Sequence, residues 1–277
     1  MKRRFSVVAA LVALAALVGA WAPRRLARAS VVDWLAGPSG ALPSYLHDVR
    51  GRERPRRLEL NGVPLAVAAG WTADPPGAVR RFYDQALSDA RHGSQLAFGD
   101  DERGGLCAID FGVAPSTTEL GARFGKLAAS GDLGALGQLQ VVLWERGAGG
   151  GTRYLDLWSL GAMPVDQLAP PDGDVAGGDL DGMPRPLDAT RVLAAGEAGQ
   201  PQRLRVYRVH AASIVALREL YLTALRARGW TADQAFDRFA GARGRNGLRF
   251  GRPGRELYLD FTRSGDEVDV VAIELGR

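Results

Sequence analysis

Two stretches 138 residues apart carry the same helical stripe, and they limit most what this chain can fold into. In the first, Val79, Phe82, Tyr83, Ala86, Leu87 and Ala90 recur at steps of three and one. That is the 3.6-residue period of a helix with one face in a core. Asp74 is placed as its N-cap, Pro75 as its first helical residue and Gly93 as its stop. In the second, Ile214, Leu217, Leu220, Tyr221, Ala224 and Leu225 repeat the pattern between Ser213 and Gly229. Laid side by side, Val79–Leu87 and Leu217–Leu225 share Arg, Tyr, Ala and Leu in register.

Strand-like runs surround both helices. Leu58–Leu60 and Val63–Val67 flank Asn61-Gly62, a pair that favours the positive φ angles of a type I′ hairpin turn. Further runs near 203–209, 246–250, 255–262 and 267–275 are separated by Asn246-Gly247, Pro253-Gly254 and Ser264-Gly265. Tyr154-Leu155-Asp156-Leu157 matches Tyr258-Leu259-Asp260-Phe261. The expected fold class is α+β: two small modules, possible copies of one another, each an antiparallel sheet with one main helix on a face. Module A is expected over 58–160 and module B over 190–277. Between Ser116 and Gly137 module A holds an insertion that reads as weakly helical, interrupted by Gly121, Gly125, Gly131 and Gly134.

The first 29 residues address the chain. Lys2, Arg3 and Arg4 precede an uncharged apolar run from Phe5 to Ala22, which Pro23, Arg24 and Arg25 close. At ~1.5 Å per residue, residues 5–22 just match a hydrocarbon core of ~30 Å. Cleavage after Ala22 would leave Pro23 beside the cut, and cleavage after Ala29 would leave Arg24, Arg25 and Arg28 before it. Residues 1–29 are therefore read as a retained signal anchor or transmembrane helix. The C-terminal part then lies in the periplasm of a bacterial cell, tethered to the inner membrane by a single pass. The alternative is a cleaved signal peptide and a periplasmic protein. Residues 30–57 form a membrane-proximal connector, with Arg50, Arg52, Arg54, Arg56 and Arg57 as a solvated basic run.

The leader also explains the charge. The chain's formal +4 includes six cations and no acid from residues 1–29, so the remainder holds 29 basic and 31 acidic residues. Nucleic acid is thereby excluded as a partner. All but two of the 35 basic residues are Arg, read as surface charge. The single cysteine, Cys107, lies in an apolar run and is expected as a buried thiol, so the fold must rest on its core.

Sites are harder to find. The Gly161–Asp188 stretch is rich in Pro, Gly and Asp, and residues 161–189 read as a linker. Its Asp172, Asp174, Asp179 and Asp181 resemble a calcium loop, but Ala176 and Met183 stand where an EF-hand needs ligands. His47, His92 and His210 are scattered. Gly147–Gly151 precedes a strand and reads as a hairpin turn, and Gly37-Pro38-Ser39-Gly40 lacks the context of a nucleophile elbow. Asp260, Asp269 and Glu274 are expected on a solvent face, and Tyr83 and Tyr221 in cores. No catalytic, cofactor-binding or metal-binding residue is assigned, and no cofactor is expected. The expectation is a non-catalytic envelope protein with a binding or assembly role and an envelope protein as partner. One example would be an accessory component of a larger envelope machine. The alternative is an envelope hydrolase built from dispersed carboxylates.

Overall fold

The computed structural model describes residues 56–88, 95–147, 149–197, 200–210, 213–242 and 246–276. The leader, residues 30–55, His47, His92 and Gly93 lie outside them. Among the described residues no helix is long and apolar enough to cross a membrane. The chain is mixed α+β, dominated by antiparallel sheet with few helices.

Strand β1 (Arg56–Leu60) passes through the Asn61-Gly62 turn into β2 (Val63–Thr72). Asn61 has φ 52° and Gly62 φ 78°, the two positive angles the turn was expected to need. Contacts divide the chain into two units, one built on Val63–Asp166 and the other on Leu58–Gly62 with Gln167–Arg277.

In the first unit β2 is followed by helix α1 (Pro76–Ala86), β3 (Leu96–Gly99), β4 (Arg103–Asp110), helix α2 (Thr117–Ser130), β5 (Gln138–Arg146) and β6 (Thr152–Ser159). Its strands lie in the order β3-β4-β5-β6-β2. Helix α1 begins one residue later than its sequence suggests. Pro76 holds Pro75 in an extended conformation (φ −68°, ψ 153°), so Pro75 is the N-cap and Pro76 the first helical residue. Asp74 instead donates its backbone N–H to Thr72 Oγ1. Val79, Tyr83 and Leu87 are fully buried against Ala66, Ala68, Leu106, Val142, Trp144 and Trp158. Helix α2 is continuous despite Gly121 and Gly125, because its ends are well closed. Ser116 Oγ accepts from Glu119 N–H, Glu119 Oε2 accepts from Ser116 N–H, and Gly131 ends the helix at φ 69°. Only Leu127 of α2 is buried.

Past the short helix α3 (Val165–Leu168), the second unit continues with β7 (Ala189–Glu197), β8 (Arg203–His210), helix α4 (Ile214–Arg226), β9 (Thr231–Ala232), helix α5 (Gln234–Ala242), β10 (Leu248–Arg252), β11 (Arg255–Ser264) and β12 (Glu267–Gly276). Its strands lie in the order β1-β7-β8-β12-β11-β10-β9. Leu217, Tyr221 and Leu225 of α4 are buried with Tyr207, Phe250, Leu259 and Val270, but Leu220, expected in the stripe, is 39% exposed. Gly229, at φ 81°, follows the helix, and Trp230 N–H returns to Leu225 O.

Strand β12 is buried on both faces: Val268, Val270 and Ala272 join the α4 core, while Val271 and Ile273 are buried on the other side. The solvent face expected for its carboxylates is therefore corrected. Glu274 is 3% exposed, on the α4 side, and Arg255 Nη2 lies 2.5 Å from its Oε1.

Candidate functional site

The densest polar chemistry among the described residues lies where the sequence reads as a linker. Residues 172–183 have no regular secondary structure, yet Val175, Leu180 and Met183 are buried, the last two in the α4 core. The stretch is a strap held on β7 and β8 by arginines. Arg185 grips Asp174 with both terminal nitrogens, at 2.5 Å each. Asp174 Oδ1 also accepts from Arg191 N–H at 2.8 Å. Arg191 Nη1 donates to Asp179 Oδ1 at 2.5 Å, and its Nε and Nη2 donate to Val175 O. Tyr207 Oη donates to the same Asp179 oxygen at 3.0 Å. Arg205, 6% exposed, donates through Nε to Gly178 O and through Nη2 to Gly177 O. Its Nη1 donates to Ala195 O and Leu204 O.

Gly177 shows why the contact is so close. It sits at φ 114°, and a Cβ there would come within 2.8 Å of Ala194 Cβ. Three of the four calcium-like aspartates are thus occupied by guanidinium groups: Asp174 and Asp179 as above, and Asp181, which faces Arg255 at 3.3 Å and Arg252 at 3.9 Å. Among the described residues no three His, Cys, Asp or Glu side chains converge as a metal site.

The electrostatics follow from this arrangement. The Arg185 hydrogen bonds hold the Asp174 carboxyl below its ordinary value, against the opposing effect of burial. Burial and the neighbouring Asp179 carboxylate push the Tyr207 hydroxyl up. Burial alone lowers Arg205 most, since its partners are neutral carbonyls.

Beside the strap opens a cleft of about 390 Å³, lined by Glu59, Gly62, Gly177, Glu197, Arg203 and Arg205. Its two guanidiniums already donate to backbone carbonyls: Arg203 to Glu197, Gln200 and Gln202, and Arg205 as above. Asn61 lies between the lining residues Glu59 and Gly62 in sequence and is itself buried. It is 2% exposed, donates Nδ2 to Leu168 O at 2.7 Å and accepts at Oδ1 from Ala194 N–H at 2.8 Å.

The other residues singled out by sequence do not converge. His210 is exposed and pairs with Glu267. The Gly147–Gly151 segment joins β5 to β6, as a hairpin turn should. Cys107 is buried, and that burial pushes its thiol up to about 12. Tyr83 Oη donates to Asp156 Oδ2 at 3.0 Å inside the first core. Tyr221 Oη is buried without a hydrogen-bond partner among the described residues. The strap was missed by sequence because its anchors are long-range Arg–Asp pairs with no periodicity. Its only local signal was the alternation of Asp with Gly. Compared with known proteins, the chain matches no family model, no curated protein and no solved structure.

Proposed function

We propose that this chain is a non-catalytic, membrane-tethered protein of the bacterial envelope with a binding or assembly role, and that its two units are diverged copies of one module. The observation that carries the second part is topological. With the second helices set aside (α2 between β4 and β5, α5 between β9 and β10), strand, helix and four strands follow in the same order in both units, arranged β3-β4-β5-β6-β2 in one and β9-β10-β11-β12-β8 in the other. The helices agree with it: α1 buries Val79, Tyr83 and Leu87 in its core, and α4 buries Leu217, Tyr221 and Leu225 in its own, at equal spacing. Paired modules on one tether suit multivalent contact, because tethering raises effective concentration. The apolar run 5–22 between basic flanks supports the membrane tether.

The test uses the tagged full chain extracted from membranes. Its intact mass should include the leader, and in-cell crosslinking should co-purify one envelope protein in stoichiometric amount. A mature N-terminus at Ser30 in the soluble fraction would remove the tether. Absence of any stoichiometric partner would remove the assembly role.

A further inference from the structure

We propose that residues 172–183 are an autoinhibitory strap, latched by Asp174 and Asp179, covering a groove of the second unit that takes an extended acidic–apolar segment of a partner protein. The proposal rests on the assembly role put forward above.

The strap's construction separates it from the sheet it covers. A strand is held by a ladder of backbone bonds, but the strap has few of its own, among them Val175 N–H to Arg191 O and Met183 N–H to Leu180 O. Four glycines, at 173, 177, 178 and 182, place positive φ angles along it. Its hold depends on side chains: on guanidinium groups at the carboxylates of Asp174, Asp179 and Asp181, on carbonyls gripped by Arg191, Arg205 and Arg228, and on three buried apolar residues. Segments with few buried contacts and side-chain-dependent anchoring open at lower free energy than core strands.

What the strap covers is chemically definite. Tyr207 is 1% exposed, with the Arg185 guanidinium over its ring at 5.7 Å. Arg191 and Arg205 beside it are 7% and 6% exposed. Lifting the strap would strip Arg191 and Tyr207 of the carboxylate and carbonyl they bind on it and leave Arg205 only Ala195 O and Leu204 O, which is costly unless another acidic chain replaces the strap. The strap itself shows the form of that replacement: two carboxylates five residues apart, with valine before the second and leucine after it. The groups facing the latch are Arg185 and Arg191 at Asp174, and Arg191, Arg185 and Tyr207 at Asp179.

The test compares the full-length wild-type chain with Asp174→Asn/Asp179→Asn and with Arg185→Met, by hydrogen exchange and by binding of a synthetic peptide of residues 172–183. In the variants, protection of 172–183 should fall by about tenfold or more, with β11 and β12 unchanged. The labelled peptide should bind the double variant and not the wild type, and its Asp→Asn version should bind neither. Loss of protection in strap and strands together would overturn the proposal, as would unchanged strap protection in both variants. An opened strap that leaves a groove unable to bind the peptide would overturn the docking part. These readouts need no cellular partner, so a latch that behaves as expected while crosslinking finds none would sink the assembly role alone.

Discussion

At the scale of single residues, the two buried tyrosines ask different things of their hydroxyls. Tyr83 Oη has a carboxylate acceptor in Asp156, whereas Tyr221 Oη has no hydrogen-bond partner among the described residues. Tyr83→Phe should therefore cost about 1–3 kcal/mol, while Tyr221→Phe should be near neutral or stabilising, read from denaturant midpoints. Equal costs would mean the hydroxyl at 221 is satisfied after all. Asn61 is the other residue whose side chain exceeds its sequence role. The Asn-Gly pair announced a turn, and the turn is there, but the amide also joins Leu168 and Ala194 from within. Asn61→Gly keeps the positive φ and loses the bonds, at about 1–3 kcal/mol. Asn61→Ala adds backbone strain and should cost about 1 kcal/mol or more beyond that. A glycine variant no more stable than the alanine one would show that strain contributes nothing at this position.

Elements divide into those fixed locally and those fixed by distant side chains. Helices α1 and α4 were legible because a stripe at 3.6 residues is a local fact, and 79, 83, 87 and 217, 221, 225 are the residues that reach the cores. The strands expected near 203–209, 246–250, 255–262 and 267–275 were legible to within about two residues, but β2 runs on to Thr72 beyond the expected Val67, β7 was not foreseen, and which face each strand buries was not legible. The Tyr-Leu-Asp match shows why. Tyr154 packs in the α1 core, and Asp156 reaches it through Tyr83. In β11 it is Leu257, Leu259 and Phe261 that meet the α4 core, which puts Tyr258 and Asp260 on the opposite face. Three shared letters carry no information on pairing, and under the duplication proposed above the counterpart of β6 by strand order is β12, not β11. The strap was illegible for a related reason, since an Asp-Gly repeat says nothing about the arginines that will meet it. Its pH response can be given a sign. Asp174 has a folded pKa below its unfolded one, so its contribution is complete above the ordinary carboxylate value, about 4, and is lost as pH falls through the lowered folded value. Protection of 172–183, corrected for intrinsic exchange, should thus be flat from neutral pH down to about 4 and fall only below it. A fall beginning between pH 6 and 5, by that same reference value, would assign the latch to some other group.

At the scale of the molecule, the second unit is discontinuous in sequence, and its continuity in space can be tested by rewiring the chain. Strand β1 pairs with β7 through Leu58↔Glu197, Glu59↔Gly196 and Leu60↔Ala195, although more than a hundred residues separate them. A fragment of residues 167–277 therefore lacks β1, leaves one edge of β7 bare and deprives Leu168 O and Ala194 N–H of the Asn61 amide. Such an edge is a site for non-native pairing, and two buried backbone groups without partners cost about 1–3 kcal/mol each. Yet Gly62 and Gln167 are neighbours: a Cβ on Gly62 would lie 2.4 Å from Gln167 Nε2. Joining Gly62 to Gln167 through about three glycines spans that gap easily and replaces the whole intervening stretch with a short loop. The rewired chain, residues 56–62 followed by 167–277, should unfold in one cooperative transition followed by circular dichroism. The fragment 167–277 alone should melt at a lower temperature or aggregate, and Asn61→Ala should bring the rewired chain part of the way toward it. If the two melt alike, β1 is a passive edge. If neither folds, the unit depends on residues 63–166 and is not a module in its own right.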